Sequence, residues 1–285
     1  MKSTLTALVA ALALTTTVPA LAQVTAQPLT VRNLVIGEGR PKTIVPITGK
    51  TSAAALEQAA KIAASPAADV IEWRIDYLDI ATDAEALKAL AVKISSASAG
   101  KPVILTFRTK AEGGATAISD ADYGKLMGAL IEARAADLYD VEMFRDEAVV
   151  RKLIAAAHAS GRFIVMSSHD FGGTPPTEEI VARLRRQDAL GGDILKIAVM
   201  PKDAGDVLKL LDATWQMRSR YTSKPLLTMS MGGTGVVSRL AGETFGSAMT
   251  FGMMGVASAP GQIEVGQLSG ILDTLHGAVQ KPAQK

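Results

Sequence analysis

Eight short apolar runs, rich in β-branched residues, recur along the chain and constrain its fold more than any other feature. They lie at Thr43–Ile47, Val70–Ile75, Val103–Phe107, Leu138–Phe144, Phe163–Met166, Ile194–Met200, Leu226–Met231 and Thr250–Ala257. Their spacing, roughly 25 to 35 residues, is that of a strand–helix unit. Near-continuous apolar strands are those buried on both faces, as in a parallel sheet covered by helices. The intervening segments carry helical stripes. Leu87, Leu90, Ala91 and Ile94 fall at i, i+3, i+4 and i+7, and Tyr123, Leu126, Met127, Leu130 and Ile131 repeat the stripe behind Ser119 and Asp122, a pair resembling a capping box. Val149, Val150, Leu153, Ile154 and Ala157 form another, closed by Gly161. A helix from Thr177 to Leu190 has Glu178 and Glu179 at its positive end, Val207, Leu208 and Leu211 mark the next, and Leu268, Ile271, Leu272 and Leu275 the last. Eight such units predict an α/β fold, a closed (β/α)8 TIM barrel, in one domain spanning residues 23–285. The competing doubly wound sheet lacks a Gly-x-Gly-x-x-Gly turn after its first strand. Ahead of the barrel, Leu29 to Arg40 has the character of a short hairpin.

The first residues are set apart from the fold. Lys2, the apolar stretch Leu5 to Leu14 and the small-x-small ending at Ala22 form the pattern of a cleavable export signal, residues 1–22. This predicts a periplasmic protein, the alternative being an uncleaved N-terminal anchor. Peripheral association with the membrane is left open by the sequence, and no later stretch is apolar for long enough to be a membrane helix. A net charge of +2 gives no broad footprint for nucleic acid. With no cysteine and three scattered histidines, neither a thiolate nor a three-histidine metal site is available.

In a barrel of this kind chemistry sits at the C-terminal ends of the strands. The second run carries Glu72, Arg74 and Asp76. The third ends in Arg108, with Glu112 just beyond. The fourth holds Asp140 and Glu142, and the fifth ends in Ser167, Ser168, His169 and Asp170. Lys196 sits inside the sixth between Leu195 and Ile197. Ser230, a glycine-rich loop and Arg239 follow the seventh, and Ser258 to Gln262 follow the eighth. A buried ammonium without a partner is costly and tends to give up its proton, and a neutral amine attacks carbonyls. Taken alone, Lys196 is more readily a structural lysine that snorkels or pairs with Asp140 or Glu142. Glu72, Arg74, Asp76, Asp140 and Glu142 equally suit an internal layer of ion pairs. Arg108 and Arg239 on one rim suit a small anionic substrate. His169 is there the natural general base, its ordinary pKa lying near neutrality. Gly232 to Gly235 lacks the lysine of a phosphate loop and reads as a mobile loop. Together these predict an imine-forming lysine, a histidine that moves protons and a substrate with a carbonyl and a negative group. Elimination, aldol cleavage by a Schiff-base aldolase and, outside enzymes, solute binding all remain open on these residues.

As a set, several stretches resemble type I 3-dehydroquinate dehydratase. They are Glu72-Trp-Arg-x-Asp76, Thr106-Phe-Arg-x-x-x-Glu-Gly-Gly114, Ser168-His-Asp-Phe171, Lys196-Ile-Ala-x-Met-Pro201, Thr228-Met-Ser-Met231, Ser238-Arg-Leu-Ala-Gly-Glu243, Phe245-Gly-Ser247 and Ala257-Ser-Ala-Pro-Gly-Gln262. The resemblance implies a dimeric barrel whose N-terminal hairpin closes its bottom, without metal or organic cofactor. It implies Lys196 as the Schiff-base lysine, His169 as general acid and base, and Glu112 as the carboxylate orienting that histidine. It further implies Glu72, Arg74, Arg108, Arg239, Ser258 and Gln262 as substrate-binding residues, Arg239 taking the carboxylate. The implied reaction is syn dehydration of 3-dehydroquinate to 3-dehydroshikimate. Two departures stand out: Pro46 falls where the family has a substrate-contacting serine, and the export signal implies quinate-linked metabolism outside the cytoplasm.

Overall fold

A computed structural model describes residues 24–280, so the export signal expected at 1–22 lies outside the described residues. The chain opens with a hairpin of β1 (Leu29–Val31) and β2 (Leu34–Ile36), paired antiparallel. The barrel strands follow: β3 (Lys42–Ile47), β4 (Val70–Arg74), β5 (Val103–Thr106), β6 (Leu138–Glu142), β7 (Phe163–Asp170), β8 (Ile194–Val199), β9 (Leu226–Ser230) and β10 (Met249–Phe251). All are parallel, in the order β10-β3-β4-β5-β6-β7-β8-β9. The amide of Ala248 donates to the carbonyl of Leu226 at 2.7 Å, which brings β9 against β10 and closes the ring. The predicted barrel is the observed one.

Helices α1 (Ser52–Ala63), α2 (Ala84–Ala97), α3 (Asp120–Glu132), α4 (Glu147–Ala159), α5 (Thr177–Leu190) and α6 (Ala204–Gln216) each follow a strand. Two short helices, α7 (Val236–Leu240) and α8 (Gly242–Phe245), follow β9, and α9 (Val265–Val279) follows β10. Thr51, Asp83, Ser119, Asp146 and Asp203 each accept an amide of the first turn and so begin their helices. Ser119 caps α3 as expected, but Asp122 accepts the serine hydroxyl at 2.7 Å rather than closing a reciprocal box. Leu208 faces solvent, 66% exposed, so α6 buries Val207, Leu210 and Leu211 instead.

Residues alternate across each strand. Outward-facing Ile71, Trp73, Leu105, Tyr139, Val141 and Met166 pack under α1 to α4, and Leu195, Ile197 and Val199 under α5 and α6. Inward-facing Ile44, Val70, Ile104, Leu138, Val165, Ile194, Leu227 and Met249 fill the lower barrel and meet Val31 and Ile36 of the hairpin. The hairpin therefore plugs the bottom, and Arg32 fastens it through Asp137 at 2.8 Å.

Three run ends differ from expectation by two residues or more. Strand β7 continues to Asp170, because Ser167, Ser168, His169 and Asp170 pair with Lys196 to Val199. The polar residues that read as an end belong to the strand. Strand β6 stops at Glu142. Strand β10 stops at Phe251, because Gly252 packs against Val265 and Leu268 and the chain then turns across the mouth.

Candidate active site

Two residues above the apolar floor, the inward positions turn polar. Glu72 on β4, Thr106 on β5, Asp140 on β6, Ser167 on β7 and Lys196 on β8 form this level, with the apolar Pro46 on β3, Met229 on β9 and Phe251 on β10 completing it. Arg74, Arg108, Glu142 and His169 stand one step nearer the mouth. The nine residues singled out above (Glu72, Arg74, Arg108, Glu112, His169, Lys196, Arg239, Ser258 and Gln262) all line one cavity there.

Lys196 is 3% exposed. Its Nζ lies 2.8 Å from Asp140 Oδ2, 3.7 Å from Glu72 Oε1 and 4.9 Å from the centre of the Phe251 ring. The amide of Gln187, reaching in from α5, donates to the Lys196 carbonyl at 2.8 Å and fixes the strand behind it. Asp140 is the hub of the level. Its Oδ1 accepts from Arg108 Nη2 at 2.7 Å and from the Ser167 hydroxyl at 2.6 Å. Burial opposes its charge, yet Arg108 and Lys196 outweigh burial and hold its pKa down at about 2. Arg108 also donates to Glu142 at 3.0 Å and reaches Glu112 at 3.5 Å. Burial disfavours its cation, and Asp140, Glu142, Glu112 and Glu72 reverse that and raise its pKa.

The expected layer of ion pairs is thus present, but divided. Arg74 is held away from the Arg108 cluster by a bidentate pair with Asp76, at 2.7 and 2.8 Å, and lies over the Tyr77 ring. Asp76 additionally accepts the amides of Arg108 and Ala115, tying β4 to the segment after β5.

His169 Nδ1 lies 2.8 Å from Glu112 Oε2. Burial, then Arg108, Lys196 and Arg74, push the histidine well below its ordinary pKa, so the ring is a neutral imidazole able to accept a proton. Burial pushes Glu112 up to about 8; Arg108 opposes this, and Glu142 and Asp140 add to it. Glu112 sits at the end of a single helical turn, Lys110–Glu112, that Gly113 terminates at φ +83. The Phe171 ring lies where a side chain on Gly113 would project and so packs directly on this turn.

Arg239, in the last turn of α7, is 1% exposed. Its Nη2 donates to the Pro260 carbonyl at 3.1 Å and its Nη1 to the Met229 sulfur at 3.6 Å, while Nε has no partner. No carboxylate among the described residues pairs with it, and burial lowers its pKa to about 10. Across the mouth, Gln262 and Ser258 bond one another, and Gly232 donates to Pro260, so the loops after β9 and β10 form one wall.

Pro46 is buried in β3 opposite Glu72 and does not line the cavity. Its missing N–H points to the side where β10 has already ended, which lets a proline stand in the strand. His158 and His276, to which no role falls, pair with Asp193 and Glu243 away from the cavity. Sequence reasoning missed the apolar lining of Phe171, Met229, Met231 and Phe251, together with Gln187. Nothing in a sequence separates such residues from ordinary core.

A model of the type I 3-dehydroquinase family matches residues 43–279. The chain belongs to that family. A 3-dehydroquinate dehydratase of Listeria innocua is 51% identical over 246 residues, covering 86% of this chain and 97% of the relative. One of Bacillus subtilis is 45% identical over 249 residues, covering 87% and 97%. The crystal structure of type I 3-dehydroquinate dehydratase from Clostridium difficile with covalently modified comenic acid superposes with a TM-score of 0.86. It is 41% identical, covering 89% of this chain and all of that one. The family match, over residues 43–279, spans every element that supplies the cavity.

Proposed function

We propose that this enzyme dehydrates 3-dehydroquinate to 3-dehydroshikimate through an imine at Lys196. The observation that carries the reading is Arg239, a guanidinium buried at the cavity wall without an acid partner. Such a group calls for an anion in the ligand, and it shares its cavity with a lysine and a neutral imidazole. Relatives named 3-dehydroquinate dehydratase, and one solved with a covalently modified comenic acid, support the same assignment.

In this reading the substrate carboxylate bonds Arg239, while Ser258 and Gln262 hold its hydroxyl groups with Arg74, Arg108 and Glu72. Lys196 attacks the ketone and loses water to form an iminium. The iminium draws electrons from the neighbouring carbon, whose proton passes to His169. The electron pair then expels the hydroxyl, which takes that proton from His169 and leaves as water. One base serving both ends on one face gives syn elimination. Glu112 holds the ring through Nδ1 so that Nε2 faces the substrate. Hydrolysis of the iminium frees the lysine.

Export by residues 1–22 would place this chemistry in the periplasm, on dehydroquinate formed by quinate oxidation, in an enzyme that is a homodimer. Purified protein given 3-dehydroquinate should develop the ultraviolet absorbance of the conjugated enone. Arg239→Ala should raise KM by roughly 10–100-fold for loss of a charge-assisted bond of about 1.5–3 kcal/mol. No enone from the wild type would overturn the assignment. Cell fractionation tests the location: activity confined to the cytosol would exclude export.

A further inference from the structure

Glu142 is a fully buried carboxylate to which the chemistry above gives no task, and it does not line the cavity. A carboxylate inside a barrel is costly unless its oxygens are engaged. Oε1 accepts from Arg108 Nη1 at 3.0 Å and from the Thr109 amide at 2.8 Å. Oε2 accepts the Thr109 hydroxyl at 2.8 Å. Most of what Glu142 binds is therefore Thr109, itself buried. Thr109 stands at the N-cap of the Lys110–Glu112 turn, where a threonine side chain ordinarily accepts an amide of the first turn. Here it caps nothing, because its hydroxyl is directed to Glu142 instead. Its carbonyl accepts the amides of Glu112 at 3.0 Å and Gly114 at 2.8 Å. At the far end of the turn, Glu112 Oε2 meets His169 Nδ1 at 2.8 Å. A line of hydrogen bonds thus runs from β6 through Thr109 and Glu112 to the imidazole.

We propose that Glu142 is a positioning residue of the dehydration, holding Glu112 against His169 through Thr109. The inference rests on the reading of His169 as the base. A single helical turn is too short to fix itself, so its place depends on what grips its ends. Phe171 packs on one end at Gly113, and Glu142 grips the other. Glu142 is well suited to this, since β6 is paired on both sides, to β5 and β7. Arg108 alone does not suffice: its Nη1 reaches Glu112 only at 3.5 Å and is shared with Glu142 and Ser167. Without the grip on Thr109, Glu112 shifts and the imidazole loses its fixed aim, and a displacement of about 1 Å at a reacting group can cost about 10²-fold in rate.

The test reads the rate of enone formation from 3-dehydroquinate at saturating substrate. Thr109→Val, which removes only the hydroxyl, and Glu142→Ala should each be slower by roughly 10–10²-fold. Thr109→Ser should stay near the wild-type rate. So should Glu142→Gln, whose carbonyl can accept from the Thr109 amide and Arg108 while its NH₂ donates to the Thr109 hydroxyl. Substrate affinity, compared between Lys196→Ala and Lys196→Ala/Thr109→Val, should change only a few-fold. In a Glu112→Ala background, Thr109→Val should cost little more, because the residue it serves is already gone. A general loss of structure would not vanish in that background. The proposal is overturned if Thr109→Val turns over at the wild-type rate, or if it slows Glu112→Ala as much as it slows the wild type. It is also overturned if Glu142→Gln is as slow as Glu142→Ala, which would make the charge beside Arg108 the decisive property. Full turnover in His169→Ala would instead overturn the base reading beneath it, so the two failures are distinguishable.

Discussion

Asp140 shows how much of this site depends on charge balance at one residue. Two cations, Arg108 and Lys196, converge on it at 2.7 and 2.8 Å, and all three side chains are buried. Asp140→Asn should cost about 3–5 kcal/mol in chemical denaturation, because both cations would then be buried with too little countercharge. His169 makes a prediction about pH. Burial and neighbouring cations lower its pKa, so its basic form persists into acid. The acid limb of kcat/KM assigned to His169 should therefore fall below the ordinary histidine value of 6.5. His169→Ala should slow turnover by about 10²–10⁴-fold while leaving imine formation possible. Which residues carried the chemistry was legible because charges inside apolar runs are conspicuous, and Lys196, Glu72, Asp140 and Arg108 all stood out on that ground. How they pair was not legible. Arg74 turns to Asp76 two residues away, whereas Arg108 spans to β6, and only the barrel's curvature brings Asp140 into its reach.

At the level of elements, the turn carrying Glu112 is positioned by contact rather than by regular structure. Gly113 holds φ +83, where an L side chain is strained, and its open face is filled by Phe171 from the loop after β7. Gly113→Ala should push Phe171 aside and loosen the Glu112–His169 bond. The expected result is lower kcat with a small loss of stability, about 1–2 kcal/mol from backbone strain, and partial recovery of kcat in Gly113→Ala/Phe171→Ala. Steady-state kinetics alongside thermal unfolding check this. Periodicity located the helices well because an apolar stripe survives any packing detail. Strand ends were less legible. His169 and Asp170 look like a strand's exit in sequence, yet β8 continues beside them and keeps them hydrogen-bonded. The eighth run stays apolar well past Phe251, but the chain turns there and brings Ser258, Ala259 and Gln262 to the mouth.

Over the whole molecule the barrel separates stability from chemistry. The apolar floor and the hairpin close one end, and the ionised residues gather at the other. The repeated strand–helix spacing made that architecture readable, since eight strand–helix units without the glycine-rich turn of a doubly wound sheet point to a closed barrel. The closure of the bottom by Leu29–Ile36 depended on Arg32 finding Asp137, which no local pattern announces. The central claim, that a substrate ketone becomes covalently bound to Lys196, is tested most directly by borohydride reduction of the enzyme with 3-dehydroquinate, followed by peptide mapping. The account predicts one stoichiometric adduct on the peptide containing Lys196, and neither adduct nor turnover in Lys196→Ala. An adduct on another lysine, or turnover persisting in Lys196→Ala, would contradict it.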